Sequence, residues 1–350
     1  MTDGSGADLS GHPVRIAGAM GSPYSMKMRA VLRYRRIPFE WVLRSSRWDD
    51  LPAAPVALIP AISFPQPDGT YPDAMIDSTP QIMRLEGLVT PRSLVPPDPV
   101  VAFLDQLLED YADEWVTKQM FHYRWWYADA VAKAGKLLPL DVDEQMPAEL
   151  LARSTAYITD RQQGRMALVG CTEVNRPVIE RSYERLLDLF DAHLARTPFL
   201  FGSRPGRGDF GIFGQLSQLV GWDPESARVA VDRAPRVVHW VSVTDDLDWL
   251  PVEGDDGWVD ADSVPDTVDA LLHEVGRTYA PYLVANADAL ASGADEVVCP
   301  IDGHEFRQGP FAYQGKCLGW LRAAHEALDP ATRSAVDAVL AGTGCEQLFA

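Results

Sequence analysis

The chain has 350 residues, 47% of them apolar, which is enough for two domains with a sizeable buried core. Its formal charge of −19, with no lysine- or arginine-rich block, argues against nucleic acid or an anionic membrane as the main partner, because both need a basic footprint. No run of about eighteen apolar residues occurs, so no membrane span is expected.

Residues 1–13 are polar and Gly-rich, and they read as a flexible lead-in rather than a signal peptide. Val14 to Ala17 is a strand candidate that ends in the turn-prone Gly18 to Gly21. Ser22-Pro23 then opens a helix, since serine is a favoured N-cap and proline suits the first helical position. Met28, Val31 and Leu32 form its buried stripe, and arginines take the other face. These cations (Arg29 and Arg33 among them) suit a small anionic ligand, or equally a solvated helix face. Phe39 to Leu43 is a second strand. Ala57 to Phe64 is a third, interrupted by Pro60, and Asp68-Gly69 turns the chain into a fourth near Ala74 to Ile76. Asp77-Ser78-Thr79-Pro80 caps the next helix. The order predicts a mixed sheet with helices over residues 14–90.

The Pro-rich stretch 91–99 marks a linker. Residues 100–260 are expected to be all-helical: Leu104, Leu107, Leu108, Tyr111 and Trp115 keep helical spacing, as do Ile179, Tyr183, Leu186, Leu187, Phe190 and Leu194. Gly135 to Ala148 is expected to be a loop. Residues 261–350 form an extension, mostly helical. Helices are expected over Val264 to Leu290, from Tyr313 to Ala324 and over Pro330 to Leu340, and Val297 to Ile301 pairs with Glu305 to Arg307 in a small hairpin around Asp302-Gly303.

Cys171, Cys299, Cys317 and Cys345 are far apart and form no Cys-x-x-Cys pair, which fits a reduced, cytoplasmic compartment. The seven histidines are equally scattered, so no metal site is expected. Gly206-x-Gly208-x-x-Gly211 matches a dinucleotide fingerprint, but no βαβ unit surrounds it.

Three N-terminal features belong together: Gly21-Ser22-Pro23-Tyr24-Ser25 between strand and helix, Ile59-Pro60 inside an apolar strand, and Asp77-Ser78 at a helix start. This set resembles the glutathione transferase superfamily of the serine type. The resemblance implies a thioredoxin-like N-terminal domain and an all-α C-terminal domain. It implies that Ser22 hydrogen-bonds the glutathione thiolate, with Tyr24 and Ser25 as rival activators one or two positions along. It further implies a cis Pro60, backbone hydrogen bonds from Ile59 to the cysteinyl part of the tripeptide, and Asp77 and Ser78 at its γ-glutamyl end. Arg47 is a candidate for the glycyl carboxylate.

The residues suit these roles on their own chemistry. A proline forfeits a ladder bond and leaves neighbouring backbone groups free for an extended peptide. A serine at a helix N-terminus has free N–H groups for a carboxylate, and an aspartate beside it meets an ammonium. A thiol pKa of about 8.5 must fall by about two units, or roughly 2.7 kcal/mol, for most of the thiol to ionise at neutral pH. A hydrogen bond to the charged form contributes roughly 1.5–3 kcal/mol and a helix N-terminus about 0.3–2.

Phe121, His122, Trp125 and Trp126, with Tyr24, are the residues the resemblance assigns to a pocket for the hydrophobic co-substrate; such an aromatic cluster also serves as core or dimer interface. Pro198 to Gly211 is similar to the superfamily's helix-capping segment, with Gly206 in place of the usual Ser or Thr and Asp209 three residues on. The expected activity is therefore transfer of glutathione, a co-substrate, to a small hydrophobic electrophile by a homodimer. A non-catalytic glutathione-binding or scaffolding protein, or a glutathione-dependent isomerase, dehalogenase or ether-cleaving enzyme, would carry the same motifs.

Overall fold

The computed structural model describes residues 11–350; the first ten residues of the expected flexible lead-in lie outside them. The N-terminal part runs β1 (Val14–Gly18), α1 (Pro23–Tyr34), β2 (Phe39–Leu43), β3 (Ala61–Ser63) and α2 (Ser78–Leu88). The sheet order is β2-β1-β3, with β1 parallel to β2 and antiparallel to β3. This is the small mixed sheet expected of a thioredoxin-like domain.

Two strands are shorter than the sequence predicts. Pro60 has no N–H to donate, and β3 begins only after it; residues 57 and 58, expected as strand, are exposed loop. The fourth strand is reduced to a single bridge in which Met75 and Ile62 exchange N–H···O bonds of 2.7 and 2.8 Å. Two residues later Asp77 has a positive φ of 77°, which takes the chain out of the sheet and into α2.

Asp98 caps α3 (Pro99–Tyr111) by accepting the N–H of Val100 at 2.8 Å. A π-helical turn (Ala112–Val116) joins α3 to α4 (Thr117–Trp126) without a break. Next come α5 (Ala128–Leu137), α6 (Ala148–Gln163), α7 (Arg176–Leu194), α8 (Arg207–Leu219), α9 (Pro224–Arg233) and α10 (Pro235–Thr244). Helix α5 extends through Gly135 to Leu137 and a 3-10 turn follows over Leu138–Asp141, so the expected loop is shorter than its sequence suggests.

Helix α8 is buried along almost its whole length, between α1 and α3. Close approach requires Gly214: a Cβ there would lie 2.9 Å from the Pro23 carbonyl and 3.0 Å from Lys27 Cβ. Gly206 has a different reason. The Asp105 carboxylate accepts the N–H groups of Arg207 and Gly208 at 3.0 and 2.9 Å, doing the work of an N-cap from another helix. A side chain at 206 would meet Asp105 Oδ1 at 2.5 Å. Asp209 returns the other half of the cap by accepting the Gly206 N–H at 2.9 Å.

The extension comprises α11 (Asp266–Ser292), the hairpin β4 (Val297–Ile301) and β5 (His304–Gln308), α12 (Ala312–Ala327) and α13 (Pro330–Leu340). Helix α11 packs against α7, and its Leu272, Val275, Tyr279 and Tyr282 are fully buried in the same core as α3 and α7. Helix α12 packs on α11 and α3. No described helix is long and apolar enough to cross a membrane.

Candidate active site

A cavity of about 960 Å³ lies where the N-terminal sheet domain, the α3–α4 helix and α12 meet. From the sheet domain it takes Tyr24 of α1, Ile59 and Pro60 before β3, and Asp77 and Ser78 at the start of α2. The Ile59–Pro60 peptide is cis. Asp77 occupies the N-cap position but makes no side-chain cap, so its carboxylate faces outward from the helix start rather than back onto it.

Behind this wall lies a buried ion network. Lys27 of α1 donates to Asp113 Oδ2 at 2.6 Å, to Glu109 Oε1 at 2.8 Å and to Ser78 Oγ at 3.2 Å. Burial opposes its charge, but Asp113 and Glu109 outweigh burial and hold its pKa above the ordinary lysine value. Thr79 Oγ1 also donates to Glu109 Oε1, at 3.0 Å. The start of α2 is thus tied to α1 and α3 through charge-assisted bonds.

The opposite wall is a polar stripe on the α3–α4 helix, with Asp110, Asp113, Glu114, Thr117 and Lys118 at helical spacing. Tyr279 of α11 donates to Asp110, and Gln314 of α12 donates to Glu114 Oε2 at 2.9 Å. Burial raises Glu114 to about 7 and lowers Lys118 to about 8. Lys118 donates to Gln308 Oε1 at 2.8 Å and lies 4.3 Å from the Tyr282 ring centre. The roof is α12, whose Tyr313 hydroxyl donates to Asp77 Oδ2 at 2.6 Å.

Of the residues singled out in the sequence, Tyr24, Ile59, Pro60, Asp77 and Ser78 come together on this cavity. Ser22 does not line the cavity; it is buried at the α1 N-cap, where its Oγ accepts the Ser25 N–H at 3.3 Å. Ser25 is fully buried beneath the turn after β1, and its Oγ accepts the Ala19 N–H. The Tyr24 hydroxyl donates to the Asp113 carbonyl at 2.8 Å and to Thr117 Oγ1 at 3.3 Å.

The other candidates lie elsewhere. Arg47 is exposed, stacks 4.8 Å from the Trp48 ring centre and donates to Gln145. His122 is fully buried and pairs with Glu180 at 2.9 Å, with Tyr123, Trp126 and Tyr127 around its ring. Phe121 packs on Trp125, which is also buried. None of Phe121, His122, Trp125 and Trp126 lines the cavity. The rings at its apolar end come instead from the extension: Phe311, Tyr313 and Trp320. Sequence reasoning marked Tyr313 and Trp320 only as one stripe of an amphipathic helix. The carboxyls of the α3–α4 stripe carried no signal, because a polar stripe beside an apolar one reads as a solvated face.

A thioredoxin-like domain joined to a helical domain, with a cavity between them lined by a cis-proline loop and a helix start, defines the class of this protein. Residues 17–92 match the family described as glutathione S-transferase, N-terminal domain, and residues 156–242 match the one described as glutathione S-transferase, C-terminal domain. These matches make the N-terminal and C-terminal regions of the chain similar to the two domains of glutathione S-transferases.

Among solved structures, a GST-like protein from Pseudomonas syringae is 14% identical over 66% of each chain, with a TM-score of 0.38. A glutathione S-transferase from Rhodospirillum rubrum F11 is 16% identical, covering 66% of this chain and 86% of its own, with a TM-score of 0.39. One from Methylobacterium radiotolerans, in complex with glutathione sulfonate, is 19% identical, covering 65% and 94%, with a TM-score of 0.34. No curated protein matches the sequence.

Proposed function

We propose that the chain binds glutathione along Ile59, Pro60, Asp77 and Ser78 and, with Ser22, activates its thiol for attack on an apolar electrophile. The observation that carries this is the convergence of those two residue pairs, from the loop before β3 and the start of α2, on one wall of a single cavity. Asp77 offers a carboxylate to the γ-glutamyl ammonium. The start of α2 offers N–H groups to the adjoining carboxylate. The backbone before β3 is open to the cysteinyl part. At about 960 Å³ the cavity has room for the tripeptide and a second substrate.

Proton availability favours Ser22 over its rivals. Its Oγ accepts the Ser25 N–H, so its own proton is uncommitted among the described residues and is free to be donated to a thiolate. Tyr24 has already given its proton to the Asp113 carbonyl. Ser25 is packed under Gly18, where a Cβ would come within 2.8 Å of its Oγ. The helix dipole of α1 adds a favourable potential at Ser22. All four cysteines are free and buried, which suits the cytoplasmic setting of the same reading, in which the chain acts as a homodimer.

One observation supports a second reading, glutathione binding without catalysis: Tyr313 already holds the Asp77 carboxylate, and Ser22 is not among the residues lining the cavity. Calorimetric titration of the full chain with glutathione, paired with a thiol-conjugation assay on the wild type and Ser22→Ala, separates the two. Binding with conjugation that collapses in Ser22→Ala supports the transferase. Binding without conjugation supports the second reading, and absence of binding removes both.

A further inference from the structure

Glutathione would use one side of the cavity and leave the α3–α4 stripe and the α12 roof unassigned. That remaining half has an unusual chemistry for a site expected to take apolar electrophiles. Its charged groups are mainly acids: the whole lining carries Asp77, Glu109, Asp110, Asp113 and Glu114 against two lysines, Lys118 and Lys316, and no arginine. The lysines do not balance them. Lys118 is turned to Gln308 and the Tyr282 ring, Lys316 is exposed at the mouth, and Lys27, behind the lining, is shared between Glu109 and Asp113.

Burying carboxyls is costly unless each finds a partner. Asp110 has Tyr279 and Glu114 has Gln314, both from the extension. Asp113 is only half satisfied. Its side chain is nine-tenths buried, its Oδ2 is held by Lys27, and its Oδ1 is buried with no hydrogen-bond partner. Among the described residues the carboxyls do not form a group that could hold a metal ion. Aromatic faces stand with them, from Tyr24, Phe311 and Trp320. Acid groups beside aromatic faces in a largely apolar cavity recognise a cation with an apolar body.

We propose that the half of the cavity between the α3–α4 stripe and α12 takes an organic cation, an ammonium group on an aryl- or alkyl-sized body, with Asp113 and Glu114 as its counter-charges. This deepens the transferase reading and rests on it for the neighbouring glutathione: the co-substrate is then a positively charged amphiphile rather than a neutral hydrophobe.

The test is calorimetric titration of the full chain with three probes of matched shape, 3-phenylpropylammonium, 3-phenylpropanol and 3-phenylpropionate, each with and without saturating glutathione. The ammonium probe is expected to bind about tenfold tighter than the alcohol, and the carboxylate more weakly than either. Glu114→Gln keeps an acceptor for Gln314 and should erase most of that preference while leaving alcohol binding within about twofold. Asp113→Asn should act likewise, and Glu114→Gln decides the matter if that variant does not fold. Equal binding of ammonium and alcohol, or tighter binding of the carboxylate, overturns the inference. Glutathione binding without a preference for the ammonium probe overturns the cation site alone. That preference without glutathione binding overturns the transferase reading and leaves the cation site standing. Failure of both ligands to bind overturns both.

Discussion

The Tyr313 hydroxyl donates to Asp77 Oδ2 at 2.6 Å, linking the extension to the helix start that would receive the γ-glutamyl end of glutathione. Asp77 is held in a left-handed conformation of the kind that concentrates at ligand sites, and such backbone costs of order 1–3 kcal/mol. Tyr313 competes with a ligand ammonium for the same carboxylate. Tyr313→Phe should therefore bind glutathione about threefold tighter, the modest gain expected for a partly exposed bond. Titration calorimetry on both proteins reads this directly, and weaker binding by the variant would make Tyr313 part of the recognition surface instead.

Ser22 has two separable duties. As thiol activator, its loss in Ser22→Ala should raise the pKa of bound glutathione by one to two units and slow conjugation at neutral pH by about 10- to 100-fold. As N-cap of α1, its loss should cost about 1 kcal/mol of stability. Tyr24→Phe should leave the thiol pKa unchanged, because the Tyr24 proton is spent on the Asp113 carbonyl. Thiolate absorbance against pH, with denaturant melts alongside, distinguishes these effects.

Lys27 is the buried cation on which two domains converge. Lys27→Met would strand Glu109 and Asp113 without their counter-charge, and a stability loss of about 3–5 kcal/mol is expected. Urea denaturation measures it; a loss below about 1 kcal/mol would mean that the carboxyls simply protonate.

Gly206 makes an unusual forecast. Serine is ordinarily the better N-cap, yet Gly206→Ser should destabilise by about 1–3 kcal/mol, because its Cβ would collide with the Asp105 carboxylate that already caps α8. A thermal melt that rises rather than falls would refute the substitution of one cap for the other.

The pH dependence should run against the common pattern. Burial raises Asp105 and Glu114 to about 7, well above the values of unfolded carboxyls. Between about pH 4 and 7 the folded chain then binds more protons than the unfolded one, so stability falls as pH rises through that window and levels off above it. The protein should melt higher at pH 5 than at pH 8. Glu114→Gln should flatten part of that slope, which separates this effect from the general repulsion of a chain with net charge −19.

Local signals made much of this architecture legible. Ser22-Pro23 starts α1 where the sequence places it, because cap chemistry and the geometry of proline act within a few residues, and Asp98-Pro99, read as the end of a linker, opens α3 by the same rule. The hairpin around Asp302-Gly303 and the buried stripe of α7 follow from the same short-range rules. The glutathione-type wall was readable too, because Ile59, Pro60, Asp77 and Ser78 lie in motifs whose order is linear.

The opposite wall had no such trace. Asp110, Asp113 and Glu114 share a helical stripe that chemistry alone would assign to solvent, and it is packing against α11, α1 and α12 respectively that gives them partners. The aromatic run from Phe121 to Trp126 turned inward to His122 and Tyr123, while Phe311 and Trp320 reached the cavity instead. Ser22 shows the same division. Its cap is written into the residues beside it, but its burial away from the cavity lining depends on how α1 packs against α8. Capping and periodicity are short-range and survive in a linear string; burial of a charge depends on which distant surface covers it, and that is a property of packing.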